Sequence, residues 1–235
     1  MEDNRVIKTK DVNFFYGKFR ALTDISMDFE KRRVTALIGP SGCGKSTLLR
    51  LLNRMNDLID GTHVEGEVLF EGKNIYAPDV DPVEVRRRIG MVFQNPEDQI
   101  VATLIEEDTA FGPENLAVPL AEIRARVQSA LETVKMEGKK DRPPHLLSAG
   151  QKQRVALAGV LAMQPECVIF DESTAMLDPR GRLDVMAEMQ QLHERGITVL
   201  FITHFMEEAA RANRVVALNQ GNLVFDGTPK ALFAD

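Results

Sequence analysis

A glycine-rich segment between a strand pattern and a helix pattern is the feature that most constrains this fold. Its sequence, Gly-Pro-Ser-Gly-Cys-Gly-Lys-Ser at residues 39–46, fits the pattern GxxxxGK[ST]. Apolar residues 34–38 precede it, and Leu48, Leu49 and Leu52 follow it at helical spacing. The glycines let backbone N–H groups curve around phosphate oxygens, and the helix N-terminus adds its positive dipole end. The segment therefore predicts a phosphate site between a strand and a helix of an α/β fold.

The candidate nucleotide-binding residues of this loop and helix start are Gly39, Pro40, Ser41, Gly42, Cys43, Gly44, Lys45, Ser46 and Thr47. We expect Lys45 to reach the β- and γ-phosphates and Ser46 to ligate a Mg²⁺ ion. The alternative is a glycine-rich turn that binds nothing. The strand before the loop and the helix after it argue against that alternative.

Two carboxylates end a second apolar strand pattern. Residues 167–170 are apolar, and Asp171 and Glu172 follow them directly. Asp171 is expected to hold the Mg²⁺ of the same nucleotide, and Glu172 to polarise the attacking water. Taken alone, an acidic pair after a strand is usually a surface turn. This interpretation therefore depends on the phosphate loop.

A second anion-binding helix start is predicted at residues 148–151. Ser148 has the side chain of a helix N-cap, and Ala149, Gly150 and Gln151 lead into a helix that carries Lys and Arg. Taken alone, this pattern is a plain N-cap. A chain with two phosphate-binding helix starts about 100 positions apart suggests a dimer, in which each nucleotide lies between two chains.

Composition and charge exclude several classes of protein. The 235 residues allow one large domain or one domain with a subdomain. The net charge of −6 argues against a dedicated nucleic-acid binder. No apolar run approaches the roughly 18–20 residues that span a bilayer, and the N-terminal segment lacks the apolar core of a secretory signal. Cys43 and Cys167 are isolated. We expect a cytoplasmic protein that reaches a membrane only through a partner.

The order of the patterns predicts the architecture. Strand patterns dominate residues 6–38 and 66–75, helical patterns dominate residues 95–164, and strands alternate with helices from residue 165 onwards. Such alternation is typical of a mainly parallel sheet with helices on its faces. We therefore predict an α/β core from residues 1–94 and 165–235, with an antiparallel β subdomain near its N-terminus. Residues 95–164 are predicted to form an inserted helical subdomain.

Together the motifs resemble the nucleotide-binding subunit of an ABC transporter over nearly the whole chain, residues 1–235. The resemblance implies a P-loop NTPase core of the RecA-like type that hydrolyses ATP with Mg²⁺. Residues 148–151 resemble the signature element LSGGQ of that family, with Ala149 where the second small residue is usually Gly. The extra methyl group of Ala149 would slightly hinder close approach of the backbone to the γ-phosphate.

The resemblance also implies roles for four further residues. Tyr16 resembles the aromatic residue that stacks on adenine, and Gln94 resembles the switch glutamine that senses Mg²⁺ and faces the membrane partner. Asp178 resembles the loop that communicates between the two nucleotide sites, and His204 resembles the switch histidine at the γ-phosphate. The implied partners are transmembrane permease subunits and a second ATPase chain, either identical or a paralogue. The implied location is the inner face of the cell membrane.

Different segments of the chain resemble different branches of the ABC transporter ATPases. Three segments, residues 39–46, 51–59 and 64–76, resemble the ATPase of bacterial phosphate importers. Four later segments, residues 95–103, 106–115, 171–179 and 203–209, resemble the energy-coupling-factor ATPases of vitamin and metal-ion importers. Those ATPases usually continue beyond the point that corresponds to Asp235. We hypothesise a chimera, natural or engineered, joined near residues 90–94. The alternative is a single diverged natural protein.

Three functions from different classes are consistent with these motifs. The first is an ATPase that drives import in a head-to-tail dimer. The second is a chromosome or DNA-repair ATPase, which the 53 residues between Gln94 and Ser148 disfavour because they contain no sustained heptads. The third is a nucleotide-binding chimeric scaffold with little or no transport activity, expected if the two halves fit poorly.

Overall fold

A six-stranded sheet forms the centre of the chain. The computed structural model describes residues 4–233, so the first three residues of the N-terminal segment considered above, and Asp235, lie outside the described residues. The strand order is β10-β9-β3-β8-β7-β6, and β10 is antiparallel to β9 whereas the other neighbours are parallel. These strands are β3 (Val34–Ile38), β6 (Ile89–Val92), β7 (Cys167–Phe170), β8 (Thr198–Ile202), β9 (Arg214–Asn219) and β10 (Asn222–Gly227).

An antiparallel sheet packs beside the first one. Its strand order is β2-β1-β4-β5. Its strands are β1 (Arg5–Tyr16), β2 (Phe19–Glu30), β4 (Thr62–Phe70) and β5 (Lys73–Asn74). The turn at Gly17 has a backbone φ of +57°, a value that glycine adopts without strain. The predicted antiparallel β region is therefore present.

Eight α-helices complete the described part of the chain. Their bounds are α1 (Lys45–Leu52), α2 (Pro82–Arg88), α3 (Ile105–Asn115), α4 (Leu120–Thr133), α5 (Ala149–Ala162), α6 (Pro179–Glu194), α7 (Met206–Ala209) and α8 (Pro229–Leu232). Helices α3, α4 and α5 pack against one another. The predicted α/β fold with a helical insertion is confirmed. Among residues 4–233, no helix combines the length and apolar character needed to cross a bilayer.

The central sheet separates two hydrophobic cores. All five residues of β3 are buried, and their side chains alternate between the two faces of the sheet. Val34, Ala36 and Ile38 face the core shared with α3–α6, whereas Leu37 faces the core shared with α1 and the antiparallel sheet. Strands buried on both faces are continuously apolar, which explains why short apolar runs predicted them correctly.

Truncating a buried side chain on β3, in the middle of the central sheet, should destabilise the fold. Leu37 is fully buried in its core, and truncation of such a leucine leaves a cavity. We expect Leu37→Ala to lower the free energy of unfolding by about 2–5 kcal/mol. Urea unfolding measured by circular dichroism tests this. The matched control is Val224→Ala on β10, where the side chain is 59% exposed; an equal loss in both variants would contradict the burial argument.

Candidate active site

The candidate site residues gather where four parallel strands end. The phosphate loop follows β3, Gln94 follows β6, Asp171 and Glu172 follow β7, and His204 follows β8. Because these neighbouring strands run in the same direction, the segments after them leave the sheet at one edge. The topology therefore brings together residues separated by more than 150 positions in sequence.

The phosphate loop has a backbone that only glycine accommodates. Gly39 and Gly44 have φ values of +142° and +103°. A Cβ atom added to Gly39 would lie 2.2 Å from the backbone oxygen of Leu218, and one added to Gly44 would lie 2.9 Å from Cδ2 of Leu22. The Lys45 ammonium donates to the carbonyl oxygens of Gly39 and Pro40, both at 2.9 Å. The loop is thus compact and curled around its lysine.

Helix α1 begins directly after this loop. Its N-cap is Gly44, which offers no side-chain acceptor to the first N–H groups of the helix. Four N–H groups at a helix start need partners from elsewhere, and together with the helix dipole they form an anion site. The backbone of this chain therefore fits the phosphates of a nucleotide.

Two predicted Mg²⁺ ligands contact each other. The Ser46 hydroxyl donates to Oδ1 of Asp171 at 2.7 Å, and Asp171 is 3% exposed. Hydroxyl and carboxylate oxygens are the hard donors that Mg²⁺ prefers, and the ion usually takes one or two protein oxygens together with substrate phosphates. The chemistry of this donor pair therefore fits Mg²⁺.

Arg50 is a site residue that the sequence analysis missed. Its Nε and Nη2 atoms donate to Oδ2 of Asp171 at 3.1 and 2.9 Å. The pair offsets the cost of burying the carboxylate. The available signal was spacing, because Arg50 lies four residues after Ser46 and hence on the same face of α1.

Glu172 and His204 form the second close pair of the site. His204 Nε2 lies 3.1 Å from Oε1 of Glu172, and the side chains are 42% and 21% exposed, respectively. Glu172 has a φ of +51°, which is unusual for a residue other than glycine. Such a conformation persists only where the surroundings enforce it, and it is concentrated at functional sites. A carboxylate and an imidazole within hydrogen-bond reach, both open to solvent, can orient a water molecule.

Tyr16 and Gln94 lie at the margins of this group. The Tyr16 hydroxyl is 3.2 Å from Oγ1 of Thr47, so Tyr16 contacts the helix start after the phosphate loop. Gln94 is exposed and lies two residues after the end of β6. The preceding Phe93 carbonyl accepts a 3.0 Å hydrogen bond from Gln153 of α5. The Gln94 segment is thereby tied to the helix that Ser148 begins.

Ser148 caps α5 as the sequence predicted. Its hydroxyl accepts from the backbone N–H of Gln151, while the Gln151 side chain accepts from the Ser148 backbone, which completes a capping box. Asp178 caps α6 in a similar way, accepting from the Gly181 N–H at 2.7 Å. Ser148, Ala149, Gly150, Gln151 and Asp178 all line one cavity of about 510 Å³.

This cavity is separate from the phosphate loop. Its lining within the described chain also includes Arg154 and Asp184, and it includes none of residues 39–47. The structure therefore gathers the predicted site residues into two groups. One group contains the phosphate loop, Asp171, Glu172 and His204, and the other contains residues 148–151 and Asp178.

A cluster of charged side chains, of which Glu188 is buried, lies beside the second group. Arg154 of α5 forms ion pairs with Asp184 at 2.6 Å and with Glu188 at 2.9 Å, both on α6. Burial raises the pKa of Glu188 to about 7; Asp184 adds to the rise, and Arg154 and Lys135 oppose it. The cluster joins the helix capped by Ser148 to the helix capped by Asp178.

Comparison with known proteins identifies the family. The family model described as "ABC transporter" matches residues 22–175. The energy-coupling factor transporter ATP-binding protein EcfA1 of Caldanaerobacter subterraneus subsp. tengcongensis is 46% identical over 242 residues, with 98% of this chain and 83% of that protein covered. EcfA1 of Clostridioides difficile is also 46% identical, with the same coverage.

A solved structure agrees with the sequence relatives. The structure of cbiO1 from Clostridium perfringens, described as part of the ABC transporter complex cbiONQ, is 36% identical with a TM-score of 0.89, covering 99% of this chain and 92% of that one. This chain belongs to the ABC transporter family, as an ATP-binding domain and an ATPase. Within the family it is closely related to the energy-coupling-factor transporter ATPases.

The hypothesis of two origins finds no support. The energy-coupling-factor relatives match 97–100% of the chain, including residues 1–94, which had resembled phosphate importers. Across the supposed join, all of β6 pairs with β7, and a Cβ atom added to Gly90 would lie 2.3 Å from Cγ1 of Val160. The two halves therefore pack tightly. Short segments around a shared phosphate loop are similar in different branches of a family, so they do not reveal origin.

The charge cluster predicts a dependence of stability on pH. The pKa of Glu188 is about 7 in the folded chain against an ordinary value of 4.5, so the folded state retains its proton to higher pH than the unfolded state. The contribution of protonated Glu188 to the stability of the fold is fully present below about pH 4.5 and is lost as the pH rises through about 7. Between pH 5 and 8, we expect the free energy of unfolding of the wild-type chain to fall by about 1–3 kcal/mol relative to that of Glu188→Gln.

Urea unfolding of both proteins at several pH values tests this. The control is Glu194→Gln, an exposed position on the same helix, which should leave the pH dependence of the wild type unchanged. Parallel curves for the wild type and Glu188→Gln would show that Glu188 titrates normally.

Proposed function

We propose that this chain is the ATP-binding subunit of an energy-coupling-factor type ABC importer, located at the inner face of the cell membrane. The observation that carries this proposal is the pair of contacts Ser46–Asp171 and Glu172–His204 at one sheet edge. These contacts occur in a chain 46% identical to EcfA1 proteins. The chain would bind and hydrolyse ATP to drive transport through transmembrane subunits.

The residues of the first group, together with Tyr16 and Gln94 at its margins, each have a role in this proposal. Lys45 and the backbone N–H groups of residues 39–47 bind the phosphates, and Tyr16 stacks on the adenine. Ser46, Asp171 and Gln94 would hold Mg²⁺, which would neutralise phosphate charge and polarise the γ-phosphoryl group.

Glu172 and His204 act on the attacking water. Glu172 accepts a hydrogen bond from the water and aligns it with the γ-phosphorus, while His204 holds the Glu172 carboxylate and approaches the γ-phosphate. Phosphoryl transfer needs little covalent chemistry from the protein, so most of the rate advantage comes from positioning and charge stabilisation.

The second group of residues would bind the nucleotide that a second chain holds in its phosphate loop. Residues 148–151 and Asp178 share a cavity that excludes the phosphate loop of the same chain. A head-to-tail dimer would bring this cavity against the phosphate loop of the partner, so that each ATP lies between Lys45 of one chain and Ser148 of the other. The partner is a second copy or a paralogue. Residues 95–164 would form the helical subdomain that carries this element.

A groove between the core and the helical region supports a membrane partner. It has a volume of about 490 Å³ and is lined mostly by apolar side chains, including Val83, Val101 and Phe111, which are 53%, 63% and 52% exposed. Phe93 and Gln99, which flank residues 94–98, also line the groove. We propose that a transmembrane subunit docks here and responds to movement of the Gln94 segment.

The composite site predicts nucleotide-dependent dimerisation. Removing the catalytic carboxylate with Glu172→Gln should trap the closed state with Mg²⁺-ATP, because the nucleotide binds but does not turn over. Light scattering should then give twice the chain mass of 26.2 kDa. Lys45→Ala in the same background is the control and should stay monomeric. A monomer that still binds ATP would contradict a homodimeric site and favour a paralogous second chain.

The groove predicts a loss of partner binding without a loss of nucleotide binding. Phe111→Asp places a charge among the apolar side chains of the groove, and a docked partner would have to remove that charge from water, which is unfavourable. We expect co-purification with a co-expressed energy-coupling-factor transmembrane subunit to fall at least about tenfold, with ATP affinity unchanged. Phe19→Asp, on the other sheet and 67% exposed, is the control. Equal co-purification of both variants would exclude the groove.

A further inference from the structure

A buried carboxylate lies directly behind the Glu172–His204 pair. Glu208 belongs to α7 and is 6% exposed. Its Oε2 atom accepts hydrogen bonds from the hydroxyls of Thr174 at 3.0 Å and Thr203 at 2.6 Å. Thr174 lies two residues after Glu172, and Thr203 immediately precedes His204. One carboxylate oxygen therefore connects the two loops that carry the pair.

The environment of Glu208 is costly for a residue that only fills space. Its Oε1 atom is buried and has no hydrogen-bond partner among the described residues. Arg182 and Arg211 line the same small cavity, and neither forms an ion pair with Glu208 in the described chain. Burying a polar atom without a partner is unfavourable, whereas an apolar side chain of similar size would avoid this cost.

The two threonines hold their loops closely. The Thr203 hydroxyl accepts from the Phe205 N–H at 3.0 Å while it donates to Glu208, and the Thr203 N–H donates to Leu37 of β3. On the other loop, Glu172 has a left-handed backbone conformation that its surroundings must enforce. Glu208 thus contacts both loops through one carboxylate oxygen.

We propose that Glu208 is a positioning residue for ATP hydrolysis. By holding the Thr174 and Thr203 hydroxyls, it sets the 3.1 Å contact between Glu172 and His204. The inference rests on the proposed function, because it assumes that these two residues act on the attacking water. A displacement of about 1 Å at a reacting centre can cost roughly 100-fold in rate, so the anchor has a large effect on turnover without contacting ATP.

A pair of substitutions at Thr203 separates anchoring from packing. Thr203→Val keeps the shape and removes the hydroxyl, whereas Thr203→Ser keeps the hydroxyl and removes a methyl group. Anchoring predicts that Val lowers kcat about tenfold with KM for ATP little changed, and that Ser stays within about twofold of the wild type. Packing predicts the reverse order, because Thr203 is 2% exposed. The reverse order would overturn the proposal.

Substitutions at Glu208 provide a second test. Glu208→Gln keeps an oxygen that both hydroxyls can reach and should retain kcat within about twofold, while Glu208→Met should lower it about tenfold. Glu207→Gln, an exposed neighbour, is the control and should match the wild type. Thr203→Val and Glu208→Met should not be additive, since both remove the same anchor. Full additivity would contradict a shared role.

A spectroscopic measurement distinguishes the inference from the proposed function. The His204 ring resonance, assigned by its absence in His204→Ala, should shift in Thr203→Val and Glu208→Met but not in Glu207→Gln. If Glu172→Gln and His204→Ala keep full ATP turnover, the proposed function fails. If both lose turnover while Thr203→Val keeps the wild-type kcat and His204 resonance, only the inference about Glu208 fails.

Discussion

The parallel pairing of four buried strands determines the positions of the whole first group of site residues. β3, β8, β7 and β6 lie side by side, and their residues are buried. A slip of one residue in any pair would exchange side chains between the two cores, so burial on both faces fixes the register. The register therefore fixes where the loop after each strand begins relative to its neighbours. As a result, Lys45, Asp171 and His204 lie at the same edge of the sheet.

This arrangement brings ionic groups against an apolar sheet, where each needs its own partners. Lys45 and Asp171 are 4% and 3% exposed. Lys45 donates to two loop carbonyls, and Asp171 accepts from Ser46 and Arg50. Glu208 differs because it has hydroxyl donors and, in the described chain, no ion pair. These buried charged groups therefore belong to the residues proposed to carry out the chemistry or, like Glu208, lie directly behind them.

The sequence could predict what is encoded within a few residues. The apolar strands, the glycine-rich loop and the helix N-cap at Ser148 each follow from short-range patterns, and the structure contains all three. The partners of Asp171 and Glu208 depend on which strands become neighbours, which no local pattern reveals. The chimera hypothesis finds no support for a related reason. Short stretches that meet the same local demands look alike whatever their origin, so a match over nearly the whole chain is more informative than the short segments.

Helix α5 connects the second group of site residues to the segment at Gln94 and to α6. Ser148 caps its start, Gln153 donates to the carbonyl before Gln94, and Arg154 pairs with α6, which Asp178 caps. In a rigid helix these contacts cannot move independently, since consecutive residues are joined by the backbone ladder. A shift of Ser148 towards a partner's nucleotide would therefore displace both the segment at the proposed membrane-partner groove and α6. The same helix would couple closure of the dimer to the transmembrane subunit.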